Sequence, residues 1–258
     1  MSEFNVTVEG GKTVRLKTAG KYCDRDIVVT AEGGGSGDDL FVAVSERTAT
    51  QVSHSTVKSI GQYMFYGYGA LKSIDFPNAV NIGAYAFYDC TGLTSLNIPN
   101  VITTSNYSFY NVNTATKIYL PNLRAVGAYA FRQCRKITRA YFPNLITAGN
   151  YGLSRCSVLA VADLGNASTV ASNLFAEDSK LTTIILRKTD GIATLAATNA
   201  FTSTPFNTAN SAAKAYVPSA LIETYQTATN WSTLFTNNSI QFVALEGSAY
   251  EDVDWGNE

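Results

Sequence analysis

The side chains best suited to chemistry are few in this sequence and lie far apart. The single histidine, His54, is the one candidate base for a Ser-His-Asp or Cys-His arrangement, and a surface-loop role is favoured for it. Asp75 and Asp163 are four repeat units apart, too far for the paired carboxylates of a glycosidase. The sequence has no phosphate-binding loop and no His-Glu-x-x-His motif. We therefore predict no enzymatic activity, no catalytic residue and no cofactor.

Four cysteines could bind a metal or form disulfides. Cys90, Cys134 and Cys156 share one position of a sequence repeat, whereas Cys23 stands apart near the N-terminus. A disulfide between Cys134 and Cys156 is geometrically possible, but we favour buried thiols because cysteine is among the most buried residue types. A metal site would need more His or Cys at the same place, and the pattern supplies none. Cys23 is the cysteine that we expect to be reactive.

Tyrosine and basic side chains are the best candidates for binding a partner. Lys117 and Tyr119 on one predicted strand, and Arg139 and Tyr141 on the next, occupy outward positions that elsewhere hold mostly small or polar residues. Tyrosine and arginine are enriched in binding hot spots. The alternative is that the aromatic pair only stabilises the sheet. A second tyrosine series is predicted to pack on the opposite, convex side: Tyr85, Tyr107, Tyr129 and Tyr151.

These positions belong to a repeat with a constant interval of 22 residues. The interval is marked by Phe65, Phe87, Phe109, Phe131, Leu153 and Phe175, and Phe201 follows after 26 residues. A fixed period of this size is typical of a solenoid, in which stacked units bury a shared core. We predict an α/β-type solenoid of about seven coils, with a parallel β-sheet on one face, short helical turns on the other and a C-terminal helical cap.

Each unit contains a predicted strand and a predicted turn. In residues 93–100, Leu93, Leu96 and Ile98 should point inward, and Pro99 should end the strand because it has no N–H to donate. The segment before the strand, around Phe87, is interpreted as the helical turn. An asparagine recurs after each strand and is expected to turn the chain and bond to neighbouring coils. The series is Asn78, Asn100, Asn122, Asn144 and Asn166.

The predicted organisation has five parts. Residues 1–32 form a small β-rich module, and residues 33–39 form a Gly/Ser linker. The solenoid spans 40–210, and the cap spans 211–246, with a helix beginning after Pro218. Residues 247–258 form an acidic tail, which is either solvated or a docking peptide that uses Tyr250 and Trp255.

Composition narrows the functional classes. With 19 basic and 20 acidic residues, the chain lacks the overall basic balance expected of a protein whose main partner is nucleic acid. No apolar run reaches the length of a membrane span. The N-terminus shows no basic segment followed by an apolar segment, so we predict no secretory signal.

The unit I-G-x-x-A-F-x-x-C-x-x-L-x-x-[IL]-x-[IL]-P-N resembles the BspA-type leucine-rich repeat of bacteria over about 200 residues. Residues 215–232 are similar to the ends of such proteins from gut Firmicutes and their prophages. Residues 18–27 resemble a short module at the start of phage tail and minor structural proteins. The resemblance implies extracellular binding, as adhesion or as recognition of a host surface or cell wall, and implies no chemistry.

Three functional hypotheses remain. In the leading one, the chain is a phage or prophage tail protein of the virion that binds a bacterial surface protein or glycan, and its N-terminal module attaches to a tail component. The alternative is an extracellular adhesin on the bacterial cell surface. A glycan-active enzyme is the third, and the sequence offers neither the acid pair nor the metal site that it would need. The oligomeric state stays open, with a homo-oligomer as one alternative.

Overall fold

The structure is a computed structural model that describes residues 2–8, 12–18, 50–53, 57–113 and 116–253. For the first two ranges it describes the backbone, as an antiparallel hairpin of β1 (Ser2–Val8) and β2 (Lys12–Thr18). The predicted linker 33–39, Cys23, His54 and Trp255 lie outside the described residues.

One side of the solenoid is built from a three-residue parallel strand in each coil. These strands are β3 (Gln51–Ser53), β5 (Ser73–Asp75), β7 (Ser95–Asn97), β9 (Lys117–Tyr119), β11 (Arg139–Tyr141), β13 (Val161–Asp163) and β15 (Thr183–Ile185). They pair in the orders β3-β5-β7 and β9-β11-β13-β15. The second set is extended by β17 (Lys214–Val217) and β18 (Gln241–Ala244). The predicted parallel sheet is therefore confirmed.

A second parallel sheet of two-residue strands runs along another side of each coil. It contains β4 (Ser59–Ile60), β6 (Asn81–Ile82), β8 (Thr103–Thr104), β10 (Ala125–Val126) and β12 (Thr147–Ala148). Farther along the chain, β14 (Thr169–Val170) pairs with β16 (Thr194–Leu195). Register advances by one repeat at each step up to β12, so equivalent residues of successive coils lie above one another.

The third side of each coil is a tight turn where the sequence predicted a helical turn. In one coil, Tyr85 and Asp89 both have left-handed backbones, with φ of 57° and 55°. Left-handed residues cost roughly 1–2 kcal/mol each and cannot continue a right-handed helix. The backbone N–H of Phe87, midway between them, instead donates to the carbonyl of Ser108 in the next coil at 2.7 Å. Helical structure on this side is limited in the described coils to η1 (Thr198–Phe201) and η2 (Pro205–Asn207).

The core is a continuous column that follows the 22-residue period. The rings of Phe65, Phe87 and Phe109 stack with centroids 5.1 Å apart, and all three are buried. The predicted asparagine series also stacks: the Nδ2 of Asn100 donates to the carbonyl of Pro77 at 2.8 Å, and Asn144 repeats this contact. Coils therefore bond to their neighbours through both apolar and polar columns.

The C-terminal end of the array carries the predicted helical cap. It consists of η3 (Ser219–Leu221), α1 (Ile222–Thr227) and α2 (Trp231–Asn238). Trp231 is fully buried, and its indole N–H donates to the carbonyl of Ala193 at 2.8 Å. The Tyr225 hydroxyl accepts the N–H of the same Ala193. The cap thus satisfies backbone groups of the last coils and covers their apolar interior.

Candidate functional site

The structure brings the four predicted binding residues together on strands β9 and β11. Arg139 pairs with Lys117, and Tyr141 pairs with Tyr119. Tyr119 is 39% exposed, and the two basic residues are half-buried. Tyr141 is only 1% exposed. Three of the four residues therefore reach the surface, while Tyr141 does not present the outward ring that its register predicted.

Tyr141 is buried because a distant segment crosses the strand face. It packs in a small apolar cluster with Ile185 and with Leu245, which follows the last strand. Tyr250 and Val253 pack against the same cluster, and the Tyr250 ring lies 4.7 Å from that of Tyr216. We refer to residues 245–253 as the C-terminal strap. The strap covers the strand face of the C-terminal coils and reaches the edge of the candidate site.

An ion pair anchors the strap to the sheet. Asp163 is fully buried on β13, and its Oδ2 lies 2.8 Å from the Arg187 guanidinium. The same guanidinium donates to the backbone carbonyls of Tyr250 and Glu251 at 2.8 and 3.0 Å. Tyr250 and Val253 of the acidic tail therefore contact the strand face, while Glu251 and Asp252 are exposed. The role of the tail stays a prediction. Sequence reasoning missed Arg187, although its spacing from Asp163 is close to one repeat.

Two stacked tyrosine columns form the surface of the turn side. The first contains Tyr63, Tyr85, Tyr107, Tyr129 and Tyr151, whose neighbouring rings are 4.6–4.9 Å apart and within 10° of parallel. The second contains Tyr66, Tyr88 and Tyr110, with spacings of 4.9 and 4.6 Å. The first column was predicted except for Tyr63, and the second was not, although it follows the same period, one residue after each phenylalanine. Burial, with Asp89 adding to it, raises the pKa of Tyr88 to about 12, so its hydroxyl stays a donor.

Arg132 takes the place of tyrosine in the next coil of the second column. Its guanidinium carbon lies 5.6 Å from the Tyr129 ring centroid and 5.1 Å from that of Tyr151. It also donates to the Ser154 hydroxyl at 3.0 Å. Such cation–π contacts hold the charge against the rings at a defined position. The turn side thus changes from tyrosine to a fixed positive charge in the middle of the array.

The three repeat cysteines are buried free thiols, as predicted. Their S–H groups donate to phenylalanine carbonyls of the preceding coil, at 3.0 Å for Cys90 and 3.2 Å for Cys134 and Cys156. Burial raises the pKa of Cys134 to about 12, so the thiol is neutral and a poor nucleophile or metal ligand. Within the described residues, no group of three or more His, Cys, Asp or Glu side chains is placed to hold a metal ion.

Asp178 occupies the cysteine position in a later coil. Its Oδ1 accepts the backbone N–H of Cys156 at 2.7 Å, and its Oδ2 has no hydrogen-bond partner among the described residues. Burial, the largest cause, raises the carboxyl pKa well above its usual range. Asp178 is therefore a buried acid held by one backbone N–H, and the neighbouring Glu177 carboxylate adds to the rise of its pKa.

A known protein family matches the repeats over most of the chain. The BspA type leucine-rich repeat region matches residues 39–160 and 103–217, with six copies. The chain belongs to the BspA-type leucine-rich repeat family. This is a repeat family of surface and binding proteins rather than a catalytic family. In the described part of the chain, no helix has the length and apolar character needed to cross a membrane.

Solved structures similar to this chain come from several bacteria. The Treponema pallidum leucine-rich repeat protein TpLRR is 17% identical, with a TM-score of 0.46 over 52% of this chain and 72% of that one. A leucine-rich repeat protein from Bacteroides ovatus is 19% identical, with a TM-score of 0.48 over 60% of this chain and 52% of that one. The pneumococcal vaccine antigen PcpA is 15% identical, with a TM-score of 0.47 over 85% of this chain and 50% of that one. The chain thus spans about half the length of the latter two. No curated protein matches.

Proposed function

We propose that this chain is a non-enzymatic receptor-binding protein of a phage or prophage tail. In this proposal, the solenoid recognises a protein or glycan on the surface of a host bacterium, and residues 1–32 attach it to the tail. The observation that carries the recognition role is the open strand face around Tyr119, within a repeat family of binding proteins. The attachment role is supported by the resemblance of residues 18–27 to phage structural modules and by the Gly-rich segment that follows them.

The binding face consists of Lys117, Tyr119 and Arg139, with Tyr141 paired beside Tyr119 and covered by the C-terminal strap. Tyr119 supplies exposed apolar area with a polar tip, and the paired Lys117 and Arg139 supply charge on one side of it. Such residues bind well when their positions are fixed before the partner arrives, because little conformational entropy is then lost. The ladder between β9 and β11 and the packed ring of Tyr141 provide that rigidity.

A cell-surface adhesin is the second candidate, and the family match favours it equally. In this case the solenoid would bind in the same way, but the chain would be held by the bacterium itself and not by a virion. The two candidates therefore differ in the role of residues 1–32. Attachment to a tail particle predicts that these residues are needed for co-sedimentation with the particle and not for binding to the host cell.

The recognition role is tested with labelled full-length protein and a version lacking residues 1–37, each added to intact bacteria. We expect both to bind the same cells. Tyr119→Ala should lower cell binding about tenfold or more, as expected for an aromatic hot spot. Tyr66→Ala is the matched control, because Tyr66 is 40% exposed but lies on the turn side of another coil. Equal losses of cell binding in the two variants would show that the strand face is not the binding site.

The attachment role is tested by sedimenting purified tail particles with the same two proteins. Co-sedimentation of the full-length chain alone would support the phage assignment. If neither protein sediments with the particles while both bind cells, the adhesin becomes the better account. Circular dichroism of the shortened protein checks that the solenoid is still folded.

A further inference from the structure

Charge is distributed very unevenly along the solenoid. Between Cys90 and Ala162 the sequence contains seven basic residues and no acidic residue. The seven are Lys117, Arg124, Arg132, Arg135, Lys136, Arg139 and Arg155. Because the whole chain has a formal charge of −1, the remainder carries −8. A near-neutral total therefore conceals a positive central block, which produces a local positive potential that the net charge does not reveal.

Five of these side chains form a continuous band around one edge of the central coils. Arg132 lies on the tyrosine columns, Arg135 and Lys136 are exposed in the following loop, and Arg139 leads onto the strand face beside Lys117. The path from Arg132 to Arg139 is at most about 25 Å long, given the reach of seven residues. We call Lys117, Arg132, Arg135, Lys136 and Arg139 the basic band. It connects the turn side with the proposed binding face.

The other two basic residues of the block lie outside the band. Arg155 forms an ion pair with Glu177, with Nε and Oε1 2.9 Å apart. Arg124 is exposed on a different side of the coil, directly before β10. Arg124 belongs to the positive block but not to the band. A variant at Arg124 therefore separates the effect of net charge from the effect of position.

The groups around the band favour a partner held by charge contacts over one held by stacking on aromatic rings. The rings of Tyr129 and Tyr151 are 4.9 Å apart and nearly parallel, so these facing surfaces contact each other and cannot stack on nucleic-acid bases. The polar groups that the band presents are guanidinium and ammonium donors, joined by phenol hydroxyls. These donors are suited to carboxylate oxygens. Strand β11 is paired on both sides, so it offers no free edge for an added peptide strand.

We propose that the basic band binds a linear acidic polysaccharide, with carboxylates along the polymer contacting successive basic side chains. The preference for an anion rests on the charge and geometry of the band. The choice of a polysaccharide rests on the proposed function, because it places the ligand on a bacterial surface. The band extends the proposed face from a local patch to a path along which several units of a polymer can bind at once.

The test measures binding of the full-length protein to immobilised polygalacturonate, with neutral dextran as the matched uncharged polysaccharide. We expect binding to polygalacturonate alone, and weaker binding at higher salt because exposed charges are screened. The double variant Arg135→Gln/Lys136→Gln should weaken binding about fivefold to tenfold, from two exposed charge contacts. Arg124→Gln should change it by less than about twofold, since this side chain lies outside the band.

Three results would overturn the inference. One is equal binding to dextran, and another is a loss in Arg124→Gln as large as in the double variant, which would reduce the effect to net charge. The third is preferential binding to oligo(dT), which would identify a nucleic-acid surface instead. The same preparations are tested on intact cells in parallel. Cell binding without polygalacturonate binding would refute this inference but leave the proposed function standing, and the reverse result would refute the proposed function alone.

Discussion

The central coils and the C-terminal coils share one repeat frame but differ in what covers their strand face. At the last position of the strand, Tyr119 is 39% exposed in a central coil, whereas Ile185 is fully buried. The difference is made by the C-terminal strap, which packs against Ile185 and is bonded to Arg187. The repeat thus determines the direction of a side chain, while its exposure depends on a segment that lies outside the repeat.

The same two regions differ inside the core. Cys134, in a central coil, donates its S–H to the carbonyl of Phe109, whereas the equivalent Asp178 accepts the N–H of Cys156. The backbone N–H of Cys134 is already bonded within its own turn, to the carbonyl of Phe131. The same repeat position therefore makes two kinds of hydrogen bond. The cysteine thiol donates to a backbone carbonyl, whereas the aspartate carboxyl accepts from a backbone N–H.

Removing Arg187 should have the largest effect, because it takes away the positive charge that is paired with the buried carboxylate of Asp163. We expect Arg187→Ala to lower the free energy of unfolding by about 3 kcal/mol, as for a broken buried ion pair. Release of the strap should also make residues 245–253 sensitive to limited proteolysis. Urea denaturation and mass spectrometry of the fragments measure both effects.

The matched variant for this experiment is Asp163→Asn combined with Arg187→Ala. The amide keeps an oxygen for the N–H of Gly165, which Asp163 accepts at 2.9 Å, and removes the buried charge. It should recover part of the lost stability without restoring the strap. A double variant as unstable as Arg187→Ala would show that the charge of Asp163 is not the cause.

Replacing Asp178 should change how stability depends on pH. Burial raises its folded-state pKa, so the stability it contributes is fully present below the unfolded pKa, about 4, and is lost as the pH rises through the folded value. Asp178→Asn should therefore flatten this decline, with a smaller change than at Arg187. Urea denaturation from pH 4 upward gives the slope. Exposed Asp252→Asn is the control, and equal slopes in wild type and Asp178→Asn would contradict the prediction.

Changing Cys134 to valine should have the smallest effect. Valine already occupies this position at Val112, and the substitution removes one weak S–H donor, so we expect a loss below about 1 kcal/mol. Cys134→Asp is the informative contrast, because the N–H of Val112 that would face it is already bonded to Phe109. The added carboxyl should cost about 2–3 kcal/mol as an unsatisfied buried group. Thermal denaturation compares the two variants. Similar melting temperatures would refute the claim that no free backbone N–H faces the side chain at position 134.

Features that depend on the period could be predicted from the sequence. The phenylalanine column, the asparagine column and the buried thiols all follow from residues that recur at one spacing, because equivalent positions of stacked coils have the same neighbours. The cap was predictable because apolar Tyr225 and Trp231 follow the last repeat, where an exposed sheet edge needs covering. The division into an attachment module, linker and tail stays a prediction.

The predictions that differed from the structure concern local backbone geometry and long-range packing. A helical turn was expected near Phe87, but left-handed Tyr85 and Asp89 let backbone N–H groups bond to the next coil instead of within a helix. Aspartate adopts this conformation more readily than most residues, but tyrosine does not, so the stacked array is what stabilises Tyr85 there. The second tyrosine column was overlooked although it has the same period as the first.

The period, the family, the side that carries the sheet and the residues that share a column could all be inferred from the sequence. These properties depend on local spacing, which every coil repeats. The burial of Tyr141 beside the exposed Tyr119 depends on long-range packing, since its contact with Leu245 joins residues about a hundred positions apart. Packing between coils likewise brings Arg132 to the tyrosine columns, because the rings of Tyr129 and Tyr151 come from different coils. Contacts that close only when the solenoid folds have no signature in local spacing.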